Sequence, residues 1–188
     1  MNQPVKNVLF ICTGNSARGL LAEALMTVKS KGRFQGLSAG VHPGGLINPF
    51  AAELIQQAGY PLERLRCKRW EEFSGPNAMQ VDFVISLCEQ VRQLPHPEWP
   101  GDPILASWNI EDPTSTTGSI EEKREVFKRV YKQIEEYIEL FLMLPHESFD
   151  RDVLRQELND FHVLCGHKNA PEPDCPSGQA TDSQTLVA

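Results

Sequence analysis

No stretch of about 18 consecutive apolar residues occurs in this chain, so no membrane-spanning helix is expected. The amino terminus lacks a basic region leading into a long apolar run, which argues against a secretory signal peptide. Positive charge is in deficit: 18 basic side chains stand against 25 acidic ones, a formal net charge of −7. The overall field therefore repels nucleic acid and anionic membrane surfaces, and any anion site must be built locally. Cysteine is sparse and odd in number, with five residues at 12, 67, 88, 165 and 175. A chain of 188 residues with 40% hydrophobic composition can bury one substantial core without staples, so a disulfide framework is disfavoured. Reduced thiols and a cytoplasmic location are expected. Cys165 and Cys175, with His162 and His167 between and beside them, match no standard zinc spacing, and no metal is expected. No internal repeat is present, which leaves a single domain, expected to be a monomer.

What is present alternates between two kinds of segment. Val5 to Ile11 is a short run of strand formers, followed by a turn and then by a helical pattern over Ala17 to Lys31 that Gly32 stops. In that pattern Leu20, Leu21, Ala24, Leu25 and Val28 make one apolar face, while Glu23, Lys29 and Lys31 are free to stay wet. Phe34 to Ala39 reads as a second strand, Val41 to Pro49 as a loop, and Phe50 to Ala58 as a helix closed by Gly59. Val81 to Leu87 has the all-apolar character of a strand buried on both faces of a parallel sheet, and Ile104 to Ser107 is a further short strand. Proline confines the stretch between them, Gln93 to Pro103, to a loop. Ser119 and Glu122 form a capping box that opens a long helix ending near Leu144, before Pro145. A last helix is expected at Arg151 to Phe161. Strands separated by helices predict an α/β domain with a four-stranded parallel sheet flanked by helices over residues 1–165, and a disordered tail over 166–188.

Ligands of such folds bind at the carboxyl ends of the strands. Cys12 stands at that edge, and Cys88 follows another central strand, so both thiols can share one rim. Between Cys12 and Arg18 lie Thr13, Gly14, Asn15, Ser16 and Ala17, all small or polar. Successive backbone N–H groups in such a loop can curl around a phosphate-like oxyanion, the following helix adds a favourable field, and arginine supplies a bidentate fork. The same positive surroundings are expected to lower the thiol pKa from about 8.5 into the range of about 3.5 to 7.5, making Cys12 a nucleophile. Gly14 permits close backbone approach, and Asn15 tolerates left-handed geometry. Asp112, stiffened by Pro113, is the best candidate to protonate a leaving oxygen. Cys67, in the run Arg66-Cys67-Lys68-Arg69, is read as part of a solvated charged face.

At these residues the sequence resembles the low-molecular-weight protein tyrosine phosphatase superfamily, and within it the arsenate reductases that share the phosphatase fold. The resemblance spans Val5 to Phe161 and rests first on VLFICTGNSAR, Val8 to Arg18. Further support comes from Leu37-Ser38-Ala39-Gly40, Trp70-Glu71-Glu72-Phe73, Asp82-Phe83-Val84 leading to Cys88, Trp99-Pro100-Gly101, and Trp108 with Asp112-Pro113. The resemblance implies that Cys12 attacks arsenate, that Arg18 and the loop amides hold it, and that Asp112 protonates the departing oxygen. It implies further that Cys88 resolves the arsenic adduct, leaving a disulfide for an external thiol reductant: thioredoxin, glutaredoxin or a low-molecular-weight thiol. No bound cofactor is implied.

The chain departs from that pattern twice. His96 stands where many such reductases carry another cysteine, which leaves direct reduction of the Cys12 and Cys88 stage, an external thiol, or recruitment of Cys165 or Cys175. Gly19 stands where the superfamily usually has a hydroxyl residue, and Ser16 is the candidate to substitute for it. One rival reading is a phosphatase that hydrolyses phosphomonoesters through a Cys12 phosphocysteine. Another is a non-catalytic oxyanion-binding or redox regulator. Cys88 favours the reductase, and the absence of aromatic residues from Asp112 to Ser119 weakens a site built to grip a phenyl ring.

Overall fold

A strand with neighbours on both edges and cover on both faces needs apolar side chains at every position. Val8 to Ile11 meet that demand, each fully buried, at the centre of the sheet in a computed structural model that describes residues 4–166. The expected tail, with Cys175, falls outside those residues save for Gly166. Four strands, β1 (Lys6–Cys12), β2 (Phe34–Gly40), β3 (Phe83–Ser86) and β4 (Ile104–Ser107), pair in parallel in the order β2-β1-β3-β4. The expected four-stranded parallel sheet is the one observed. The helices are α1 (Arg18–Lys29), α2 (Pro49–Gln57), α3 (Glu89–Arg92), α4 (Ile120–Met143), α5 (Arg151–Asn159) and α6 (Phe161–Leu164).

Side chains leave β1 alternately to two cores. Val8, Phe10 and Cys12 join Leu21, Leu25, Phe127 and Ile134 of α1 and α4 on one face. Leu9 and Ile11 join Trp70, Phe73, Val84, Cys88 and Val91 on the other. That second face is covered by a 3-10 turn at Trp70–Phe73 and the single turn of α3, elements too short to announce themselves by periodicity. The capping box holds: Ser119 Oγ accepts from Glu122 N, and Glu122 reaches back to Ser119 N. The expected last helix is two pieces, α5 and α6, meeting at Asp160.

Two readings of charge are corrected. Glu23 is not wet but 5% exposed, and Lys68 is not part of a solvated face but 7% exposed. The two form a buried ion pair, Lys68 Nζ to Glu23 Oε2 at 2.8 Å, between α1 and the segment leading to the Trp70 turn. The pattern along α1 hides this because the partner lies 45 residues away. Burial of α1 against β2 is so close that a Cβ at Gly36 would stand 2.3 Å from the Glu23 carbonyl oxygen.

Candidate active site

Strand β1 ends at Cys12, and the loop from there to Arg18 is shaped by the segment after β2. The N–H groups of Val41, His42, Gly44 and Asn48 donate to the carbonyls of Cys12, Thr13, Gly14 and Ser16, at 3.2, 2.8, 3.0 and 2.9 Å. In a trans peptide the N–H points opposite to the C=O. Pinning those carbonyls outward therefore turns the N–H groups of Thr13, Gly14, Asn15 and Ala17 inward. The result is a cavity of about 200 Å3 lined by Cys12 to Arg18 together with Asp112 and Thr114. Converging N–H groups at a helix start suit an oxyanion.

Asn15 holds the turn. Its φ of 44° is left-handed, a conformation asparagine accepts more readily than most residues. Its amide is fixed at both ends: Nδ2 donates to Ser38 Oγ at 2.9 Å, and Oδ1 accepts from Lys68 N at 2.9 Å. Ser38 Oγ donates to Glu23 Oε2 at 2.6 Å, and Lys68 Nζ donates to the same oxygen, so the bonds close a ring beneath the loop. Sequence reading missed Glu23 and Lys68 here, although Ser38 lies in one of the segments that carry the resemblance. Gly19 leaves the room this ring needs. A Cβ there would lie 2.7 Å from Asn15 Nδ2 and 3.2 Å from Cys12 Sγ.

Cys12 is 2% exposed, and the balance on its thiol corrects an expectation. Burial is the largest influence and pushes the thiol above its ordinary value, while Arg18 and the N–H groups of Gly19 and Asn15 pull it down without reversing the direction. Arg18, 6% exposed, donates from Nη1 to the Ile110 carbonyl at 2.9 Å and from Nη2 to Asp112 Oδ2 at 2.6 Å. The loop bearing Asp112 is tied to the sheet edge by Trp108 N to Ser86 O and Ile110 N to Leu87 O. Trp108 Nε1 anchors the same stretch to the Leu158 carbonyl of α5 at 3.1 Å.

Cys88 stands between β3 and α3, at the N-cap position of α3, and is 7% exposed, with its sulfur 3.6 Å from the Thr13 hydroxyl. The predicted group of Cys12, Arg18, Asp112 and Cys88 thus converges at one rim. Cys165 packs elsewhere, beside the core under α4. His96 packs edge-on against the rings of Trp70 and Trp99, at centroid distances of 5.7 and 6.1 Å, with Nε2 3.2 Å from the Val91 carbonyl.

The family described as low molecular weight phosphotyrosine protein phosphatase matches residues 7–155. The chain is 31% identical over 135 residues to the glutaredoxin arsenate reductase of Synechocystis sp. strain PCC 6803, a match covering 72% of this chain and 95% of that protein. It is similar to a solved structure of an arsenate reductase in the phosphate binding state, with a TM-score of 0.60 and 29% identity over 73% of this chain and 97% of the other. The tyrosine phosphatase Wzb of Escherichia coli K30, solved in complex with sulphate, shares the fold, with a TM-score of 0.55 and 24% identity over 74% of this chain and 97% of the other. The family match begins one residue into β1, runs into α5 and takes in every side chain of the cradle and both loops that fix it. This chain accordingly belongs to the low molecular weight phosphotyrosine protein phosphatase family.

Proposed function

We propose that the protein reduces arsenate to arsenite by a thiol-dependent reaction at Cys12. The observation that carries the reading is a second thiol, Cys88, at the rim of the oxyanion cradle and in contact with the Thr13 hydroxyl. Relatives that are arsenate reductases, matched over nearly their whole length, support it. Cys12 Sγ, as thiolate, attacks arsenic and an As–O bond breaks, with Asp112 giving its proton to the departing oxygen, which leaves as water. Arg18 and the inward N–H groups hold the remaining oxygens. Cys88, as thiolate, then attacks Cys12 Sγ. The S–S bond forms as the S–As bond breaks, its electron pair passes to arsenic, and arsenite departs in the +3 state. An external thiol reductant, a thioredoxin, a glutaredoxin or a small thiol, returns two electrons to the Cys12 and Cys88 disulfide. The four cysteines among the described residues are all free thiols, in keeping with work in a reducing cytoplasm.

The test is NADPH-coupled arsenate reduction by the purified protein with the thioredoxin and glutaredoxin systems in turn, beside aryl-phosphate hydrolysis in the same preparation. Cys12→Ser is expected to abolish both activities, and Cys88→Ser to abolish reduction while sparing slow hydrolysis. Hydrolysis without any coupled reduction would instead favour the phosphatase, which needs the cradle and Asp112 but no second thiol. Neither activity in folded protein would favour a binder of oxyanions.

A further inference from the structure

Thr114, which no sequence pattern singles out, lines the cradle beside Asp112. Its backbone N–H and its hydroxyl both donate to one oxygen of that carboxylate, Asp112 Oδ1, at 3.0 and 2.7 Å. The other oxygen, Oδ2, is the one paired with Arg18. Main-chain bonds steady the turn: Ser115 N and Oγ donate to the Asp112 carbonyl at 3.3 and 2.8 Å, and Pro113 is buried.

We infer that Thr114 is a positioning residue which decides which oxygen of Asp112 carries the transferable proton. The argument rests on the proposed role of Asp112 as general acid. A proton on Oδ1 would face two donors already aimed at that atom, so once a substrate oxyanion has drawn Arg18 Nη2 off Oδ2, a protonated Asp112 holds its proton on Oδ2. A substrate oxyanion competes for Arg18 Nη2, and Oδ2 is then the carboxyl oxygen turned to the reacting group. With an aryl phosphate the thiolate of Cys12 forms the S–P bond, the P–O bond to the aryl group breaks, and the proton on Oδ2 passes to the departing aryl oxygen. Without the Thr114 hydroxyl one of the two donors on Oδ1 is gone, the carboxyl can rotate, and the proton is misdirected in part of the population.

The experiment compares kcat/KM for two leaving groups, since phenolate needs a proton as it departs and p-nitrophenolate leaves readily without one. Thr114→Val, which keeps shape and loses the hydroxyl, is expected to lower kcat/KM for phenyl phosphate about tenfold, and for p-nitrophenyl phosphate less than about threefold. Thr114→Ser, which keeps the hydroxyl, is expected to restore the phenyl phosphate rate, and Thr114→Ala provides the same comparison if the valine variant does not fold. An equal loss on both substrates, or no loss, overturns the inference. Asp112→Ala separates the two claims. If it too loses both substrates equally, the general-acid role itself fails. If it shows the selective loss and the Thr114 variants do not, only the role of Thr114 fails.

Discussion

At the scale of single residues, the Cys12 thiol is set by a contest between burial on one side and Arg18 with backbone hydrogen bonds on the other. Burial raises the Cys12 thiol, so its thiolate fraction grows as pH rises through and beyond the ordinary thiol range. The rate of Cys12 labelling by iodoacetamide, followed by mass spectrometry from about pH 6 to about pH 10, is expected to climb across the whole interval. A plateau below about pH 7 would contradict that. The ring under the loop invites a second measurement. Lys68→Met strands Glu23 as a buried charge without its counterion, which typically costs about 3–5 kcal/mol in stability. Urea unfolding of that variant is expected to show a loss of this order, and Glu23→Gln in the same chain to recover part of it. The meeting of Cys12, Arg18, Asp112 and Cys88 at one rim was legible in the sequence because the Cys12 to Arg18 loop stands out on its own and lends weight to Asp112 and Cys88, which alone would read as a turn and a core residue. Glu23, Lys68 and Thr114 were not, because their meaning lies in a partner. The partner of Glu23 is 45 residues off along the chain, and Thr114 differs from any turn threonine only in what its hydroxyl touches.

At the scale of elements, the central strands were readable within one or two residues, as for β1 and β3, because nearly every position along them is buried. The turns that cover the second face were not, since one turn has too few residues to display a period. That face carries a consequence for the redox segment. Cys88 shares its core with Val91 and Trp70, and His96 packs edge-on against both Trp70 and Trp99. The stretch from Cys88 to Trp99 is thereby held by ring contacts at the place where many reductases of the resemblance carry a further cysteine. A relay through that position is absent, which leaves the proposed reaction with direct reduction of the Cys12 and Cys88 stage, an external thiol, or Cys165 or Cys175.

At the scale of the whole molecule, the end of the sheet opposite the cradle has its own titrating group. His146 follows α4 and packs against the rings of Phe34, Phe83 and Phe141, with Nε2 2.6 Å from the Phe141 carbonyl. Burial is the main cause that holds its pKa below the ordinary histidine value, and nearby Lys6 and Arg33 act in the same direction. A histidine kept neutral in the fold contributes stability that is fully present above its unfolded pKa, near 6.5, and is lost as pH falls through the folded value. The thermal midpoint is therefore expected to fall as pH is lowered below about 6.5, and His146→Gln to flatten that part of the curve. A wild-type midpoint that stays level there would remove His146 from the account. The cradle, at the other end, takes one piece from behind each of the four strands, and its closest ion pair joins residues 94 apart in the chain. No fragment contains it, and pairings of that span close late and slowly. Recovered turnover after dilution from denaturant is thus a gauge of complete folding, because a chain with β4 astray keeps the Cys12 to Arg18 loop but not Asp112 against Arg18.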